Sequence, residues 1–176
     1  MINNCGNNSM LQTKEIRALY NEKTIRIYQA YSKEIADEAI KLGTFGPLFK
    51  MDRMTWIKPS FLWMMYRSGW AKKDGQERIL AIDIKREGFK EIIENAVLSS
   101  FKEGIYVSYE DWQSRLKVSE IRCQWDPDRD IYGNPLNRRA IQLGIRGKFQ
   151  ENILPKEQEY PLSNNQKVIL GVKSKD

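Results

Sequence analysis

The 176-residue chain contains no histidine and only two cysteines, Cys5 and Cys123. Without histidine there is no Ser-His-Asp or Cys-His nucleophile and no His-ligated zinc. Two thiols so far apart make no Cys-rich metal site, and no metal is expected. Cys5 falls in a polar leader and Cys123 near a strand, which does not indicate a disulfide framework. No apolar run approaches the ~18 residues needed to span a bilayer. The opening MINNCGNNSML has neither the basic nor the apolar region of a secretory signal. These absences predict a cytoplasmic protein in a reducing compartment, without a membrane partner. Any catalysis would fall to carboxylates, Lys, Tyr or groups on the substrate.

The chain is 41% hydrophobic and 30% charged, enough for one folded domain. It divides into a disordered Asn- and Ser-rich leader, residues 1–12, and a single α+β domain, residues 13–176. The net charge of +6 is compatible with nucleic acid, nucleotide or other phosphate-bearing partners, and equally with a basic protein that binds nothing anionic. Residues 1–88 carry +5 of it and residues 89–176 only +1.

The expected elements are short. TIRIYQAY (24–31) alternates as a strand; Ser32 then caps a helix that Gly43 stops. MTWIK (54–58) suggests a brief strand. Pro59 suits the first turn of a helix over 61–66 that ends near Gly69. RILAIDI (78–84) is apolar enough for a central strand. FKEIIENAVL (89–98) has a helical apolar face, and Ser108 opens a helix over 110–116. Strands follow at 121–125 and 139–143, separated by a turn-rich loop, 126–137. A last apolar run, 168–172, fits an edge strand. The class is α+β: a mixed sheet core with short flanking helices.

The densest chemistry lies in MTWIKPSFLWMMYRSGWAKK (54–73). It holds three tryptophans among Lys58, Arg67, Lys72 and Lys73, with no acid. Buried Trp63, Met64 and Met65 would make an ordinary core helix. A different reading is a cleft for something anionic and flat, because cations are rarely buried without an acid or a ligand, and only Asp52 is near in sequence. In that reading Arg53, Lys58 and Ser60 at a helix start hold phosphate, Arg67 adds a bidentate contact, and Trp56 or Trp63 stacks a ring. RIYQAYS (26–32) is either a plain strand or one that presents Gln29 and Tyr31 to a ligand. Gln29 offers both a donor and an acceptor. Asp126, Asp128 and Asp130 lack the glycine and closing glutamate of a calcium loop and read as a solvated turn pairing Arg129 and Arg122. Arg138 and Arg139 either clamp an anion or answer that acidic loop. Gln142 faces opposite Ile141 and Leu143, towards solvent or a cleft.

Two resemblances follow. EIRALYNEKTIRIYQAYSKEIADEAIKLGTF, FKMDRMTWIKPSFLWMMYRSGWAKKDGQERILAIDI, QWDPDRD and RRAIQLGI resemble the family called domain of unknown function 4291, over about residues 14–150. More distantly, IYQAYSKEIADEAIKLGTF is similar in layout to the first strand and helix of ADP-ribosyltransferases, where the motif reads Tyr-His-Gly-Thr. Gln29 stands at that family's His, Ala30 at its Gly and Tyr31 at its Thr. There the segment grips the nicotinamide amide and ribose of NAD, and a later strand carries a catalytic Glu, whose counterpart by chain order is Gln142. The resemblance therefore implies a divergent ADP-ribosyltransferase-like protein that binds NAD or a related nucleotide. Gln29 and Gln142 take the catalytic positions. Gln29, Tyr31, Arg53, Trp56, Lys58, Ser60, Trp63 and Arg67 take the binding positions. The rival expectation is a non-catalytic module for single-stranded RNA or DNA, using the same rings and cations.

Overall fold

The computed structural model describes residues 13–153 and the backbone of 169–170; the leader 1–12 and most of the tail lie outside the described residues. The elements run β1 (Thr24–Tyr31), α1 (Lys33–Leu42), β2 (Thr55–Ile57), α2 (Phe61–Arg67), β3 (Arg78–Lys85), α3 (Arg86–Glu94), β4 (Val97–Leu98), α4 (Tyr109–Val118), β5 (Ile121–Arg129), β6 (Pro135–Ile145), a 3-10 helix (Gly147–Asn152) and β7 (Ile169–Leu170). The class is α+β.

The strands form two sheets. One is antiparallel in the order β1-β3-β7; the other runs β2-β6-β5-β4, with β4 parallel to β5 and the remaining pairs antiparallel. A backbone bridge joins them: Tyr28 N donates to Lys58 O at 2.7 Å and Lys58 N to Tyr28 O at 3.1 Å. The apolar run of β3 is explained by burial on both faces. Leu80, Ile82 and Ile84 join Ile25 and Ile27 of β1 against Ile57, Ile121, Leu143 and Ile145 of the second sheet. Ile79 and Ala81 on the other face pack with Tyr28 beneath Met64 and Met65 of α2.

Ser32 and Gly43 flank α1 as the sequence predicts, Gly43 at φ 73°. The helix expected over 89–98 starts earlier and ends sooner. Asn95 closes it with N–H bonds to Glu91 O and Ile93 O, and Val97–Leu98 leave it to pair with β5. The loop expected at 126–137 is mostly ladder. β5 and β6 stay paired through Asp126↔Ala140 and Pro127↔Arg139 to Arg129↔Pro135, with an irregularity between Pro127 and Arg129. Proline is tolerated there because a bulge leaves a position that needs no ladder donor. Two carboxylates of that segment are held rather than solvated: Asp126 and Asp128 meet Lys58 and Ser60, far away in sequence, and Asp128 also pairs with Arg138, which answers the acidic segment just before it. Among the described residues no helix is long and apolar enough to cross a membrane.

Candidate functional site

Past Tyr28 and Lys58 the two sheets part, and the gap is a cleft of about 400 Å³. Its floor comes from Gln29 and Tyr31 at the end of β1 and Thr55 at the start of β2. Gln29 shares the core face of β1 with Ile25 and Ile27, and is 1% exposed. A polar side chain so placed must be satisfied. Gln29 Nε2 donates to Thr55 Oγ1 at 3.3 Å, the Tyr31 hydroxyl donates to Gln29 Oε1 at 3.1 Å, and the two hydroxyls of Tyr31 and Thr55 lie 2.9 Å apart. With Thr55 donating to Tyr31, the three side chains close a ring of hydrogen bonds. One Gln29 N–H and several oxygen lone pairs remain to meet a ligand. Burial pushes the Tyr31 phenol up, against the smaller opposing effect of the Thr55 hydrogen bond, so the floor is uncharged.

One wall is built by the loop after α1. A Cβ on Gly46 would sit 2.5 Å from Glu38 Cδ and 2.6 Å from Leu42 Cδ1, so glycine lets the chain turn this close to the helix without moving those side-chain ends aside. Glu38 accepts from Leu48 N, and Phe49 N closes on Gly46 O. The turn drives Phe49 inward, where it stacks with Phe45 and meets the Tyr31 ring edge-on. Further along, Gln150 is fully buried and donates from Nε2 to Arg53 O at 2.7 Å and Ile145 O at 3.2 Å, tying the loop to β6. Gln150→Ala should remove both bonds, cost about 1–3 kcal/mol in chemical denaturation, and speed hydrogen exchange selectively at 50–54. An unchanged exchange pattern would mean the loop is held otherwise.

The opposite wall is Trp56 with Met64 and Arg67 of α2, and Gly75 and Gln76 complete the rim. Lys50, Arg53 and Arg67 line the cleft, and among the described residues no carboxylate does. The arrangement therefore offers a neutral hydrogen-bonding floor, aromatic walls and a cationic mouth.

Of the residues singled out in the sequence, Gln29, Tyr31, Arg53, Trp56 and Arg67 converge on this cleft; Lys58, Ser60, Trp63 and Gln142 do not line it. Lys58 is 0% exposed, with Nζ 3.2 Å from Asp126 Oδ2 and 2.9 Å from the centre of the Trp63 ring. Burial pulls its pKa down to about 7, opposed by the charge and hydrogen bond of Asp126. Ser60 caps α2 through Trp63 N and donates to Asp128 Oδ1 at 2.6 Å; Arg138 grips the other Asp128 oxygen at 3.0 Å. Trp63 is buried over Lys58. Gln142 is buried on β6, paired in register with Gln124. Lys50, Thr55, Phe49 and Gln76 went unnoticed in the sequence; the aromatic pair in TFGPLFK was the available signal for the loop wall.

The family described as domain of unknown function (DUF4291) matches residues 15–173. No curated protein matches the chain.

Proposed function

The chain belongs to the DUF4291 family, and we propose that it binds NAD or a related nucleotide in the cleft between its two sheets, as a divergent ADP-ribosyltransferase-like protein. The observation that carries this reading is the charge of the cleft. Lys50, Arg53 and Arg67 face a common hollow that no carboxylate lines among the described residues. Unpaired cations converging without acids favour an anion, and guanidinium groups match phosphate oxygens bidentately. Trp56 supplies a flat wall for a base, and every base has a face to stack. The floor of Gln29, Tyr31 and Thr55 suits an amide or a ribose hydroxyl, both of which exchange donors and acceptors without charge. Gln29 and Tyr31 stand where the strand–helix layout resembling ADP-ribosyltransferases places its nicotinamide-ribose contacts.

The reading is one of binding. Glycosyl transfer from NAD develops positive charge on the ribose, which a carboxylate in the cleft would stabilise. Gln142, the counterpart of that carboxylate by chain order, carries no charge and does not line the cleft. Titrating NAD by calorimetry should give a saturable isotherm. The double variant Arg53→Ala, Arg67→Ala should weaken it at least tenfold, the loss of charge-assisted hydrogen bonds worth about 1.5–3 kcal/mol each. A variant that binds like the wild type would remove the phosphate-holding role.

A further inference from the structure

We propose that the nucleotide held in the cleft is the end of a single-stranded polynucleotide, whose strand leaves across the turn that follows α2. This rests on the nucleotide-binding reading and extends it. A hollow of about 400 Å³ is towards the small end of the ~300–1,000 Å³ usual for ligand sites, so a ligand longer than one nucleotide must continue outside it. Arg67 lines the cleft and ends α2, and the chain beyond it is unusual. Gly69, Trp70 and Ala71 are all left-handed, at φ 59°, 60° and 60°. Glycine adopts that conformation freely; tryptophan and alanine do so only when the surroundings force it.

Ser68 does the forcing. It is fully buried; its Oγ donates to Met65 O at 3.0 Å and accepts from Ala71 N at 3.1 Å, while its carbonyl accepts from Lys73 N. Trp70 N adds a 2.8 Å bond to Met65 O. The strained turn keeps Trp70 37% exposed at the surface, next to Tyr66 at 44%, and leaves Lys72 and Lys73 in solvent. The Arg129 guanidinium lies 3.8 Å from the Tyr66 ring centre. Residues 66–73 thus offer exposed rings and three cations without an acid. Of the acids flanking them, Glu77 turns back onto Gly75 N, while Asp74 and Asp52 are exposed. With Lys50 and Arg53, the strip carries five cations against those two acids, a net +3, one more than the two phosphates of a dinucleotide call for. Rings interleaved with cations are how single strands are held without sequence preference.

The test compares a labelled single-stranded oligoadenylate with NAD on the wild type, Trp70→Gly, and the double variant Lys72→Ala, Lys73→Ala. Glycine suits φ 60° and offsets part of the packing lost with an indole that is only 37% exposed, so Trp70→Gly should fold with a moderately lowered melting temperature, verified before binding is compared. It should bind the oligonucleotide about tenfold more weakly and NAD equally well. The lysine double variant should lower the salt dependence, log affinity against log salt, by about 1.4, the share of two phosphates on a single strand. NAD binding without oligonucleotide binding would overturn the inference and leave the nucleotide reading standing; failure of both would overturn both. Equal losses for NAD and oligonucleotide would assign the turn to the dinucleotide itself. Binding to anionic phospholipid vesicles with the oligonucleotide ignored would assign it to a membrane surface, and each of these last two results overturns the inference.

Discussion

Replacing both halves of the buried pair, Lys58→Met together with Asp126→Leu, should make the protein more stable, by about 1–4 kcal/mol at pH 6, because apolar side chains of similar size remove two buried charges at once. The direction follows from linkage. Burial holds the folded-state pKa of Lys58 near 7, below the ~10.4 of an unfolded lysine. Below pH 7 the folded protein carries the whole penalty of a buried ammonium. As pH rises from about 7 to about 10 the unfolded chain retains a proton that the folded state has released, so wild-type stability climbs on this account. The advantage of the double variant should therefore be largest at pH 6 and nearly gone at pH 10, as read from urea midpoints of both proteins at each pH. Lys58→Met alone should gain less or lose stability, because Gln124 Nε2 holds only Oδ1 of Asp126, at 2.9 Å, and Oδ2 loses its ammonium. Asp126→Asn works in the opposite sense. It leaves the ammonium without a counter-charge, and should cost more at pH 6 than at pH 8, where the amine can shed its proton. A double variant less stable than wild type at pH 6 would show that the pair with Asp126 more than repays its desolvation.

Gly144→Val is the second large effect. A Cβ at this position would lie 2.8 Å from Met54 Sδ and 2.9 Å from both Cε2 and Cζ2 of Trp56. Real Cβ contacts do not reach such distances, and an indole ring cannot yield by rotating a flexible tip. Gly144 sits opposite Trp56 in the β2–β6 register, so the ring lies directly over the glycine. The extra volume must lift Trp56 off the sheet, at about 1–3 kcal/mol for overpacking and more if the short β2 detaches. Because Trp56 walls the cleft, nucleotide affinity should fall at least tenfold and tryptophan emission should shift. Wild-type emission and affinity together would mean that Trp56 is not a wall of the site.

Much of the scaffold is legible in the sequence, because its signals are local. Ser32 and Gly43 bracket α1, Pro59 and Ser60 start α2, and the unbroken apolar run of β3 announces its place inside a sheet. The failures involve distant partners. Lys58 looks like a ligand-binding cation because no acid but Asp52 lies near it in sequence; its counter-charge, Asp126, arrives on β5 across the sheet. The same holds for Ser60, which Asp128 claims. Asp126 and Asp128 look like a solvated turn for the complementary reason, since the groups that bury them are some seventy positions earlier. Arg53, Trp56 and Arg67 meet in one hollow, whereas Lys58, between them in sequence, points into the protein. Strand alternation would keep Trp56 and Lys58, two positions apart, on one face; the split becomes readable only once β2 is known to end at Ile57, before the bridge of Lys58 with Tyr28.

That bridge has a consequence for how the protein could change over time. The hollow lies just beyond the bridge of Tyr28 with Lys58, so the backbones of β1 and β2 fix its floor while Phe49, Trp56, Met64 and Arg67 fix its walls. Exchanging Gln29, Tyr31 or Thr55 one at a time breaks a ring of mutual hydrogen bonds around a buried amide. What the floor recognises is therefore free to change only by coordinated replacements, whereas the rim residues Lys50, Arg53 and Arg67, which are exposed, are open to single steps.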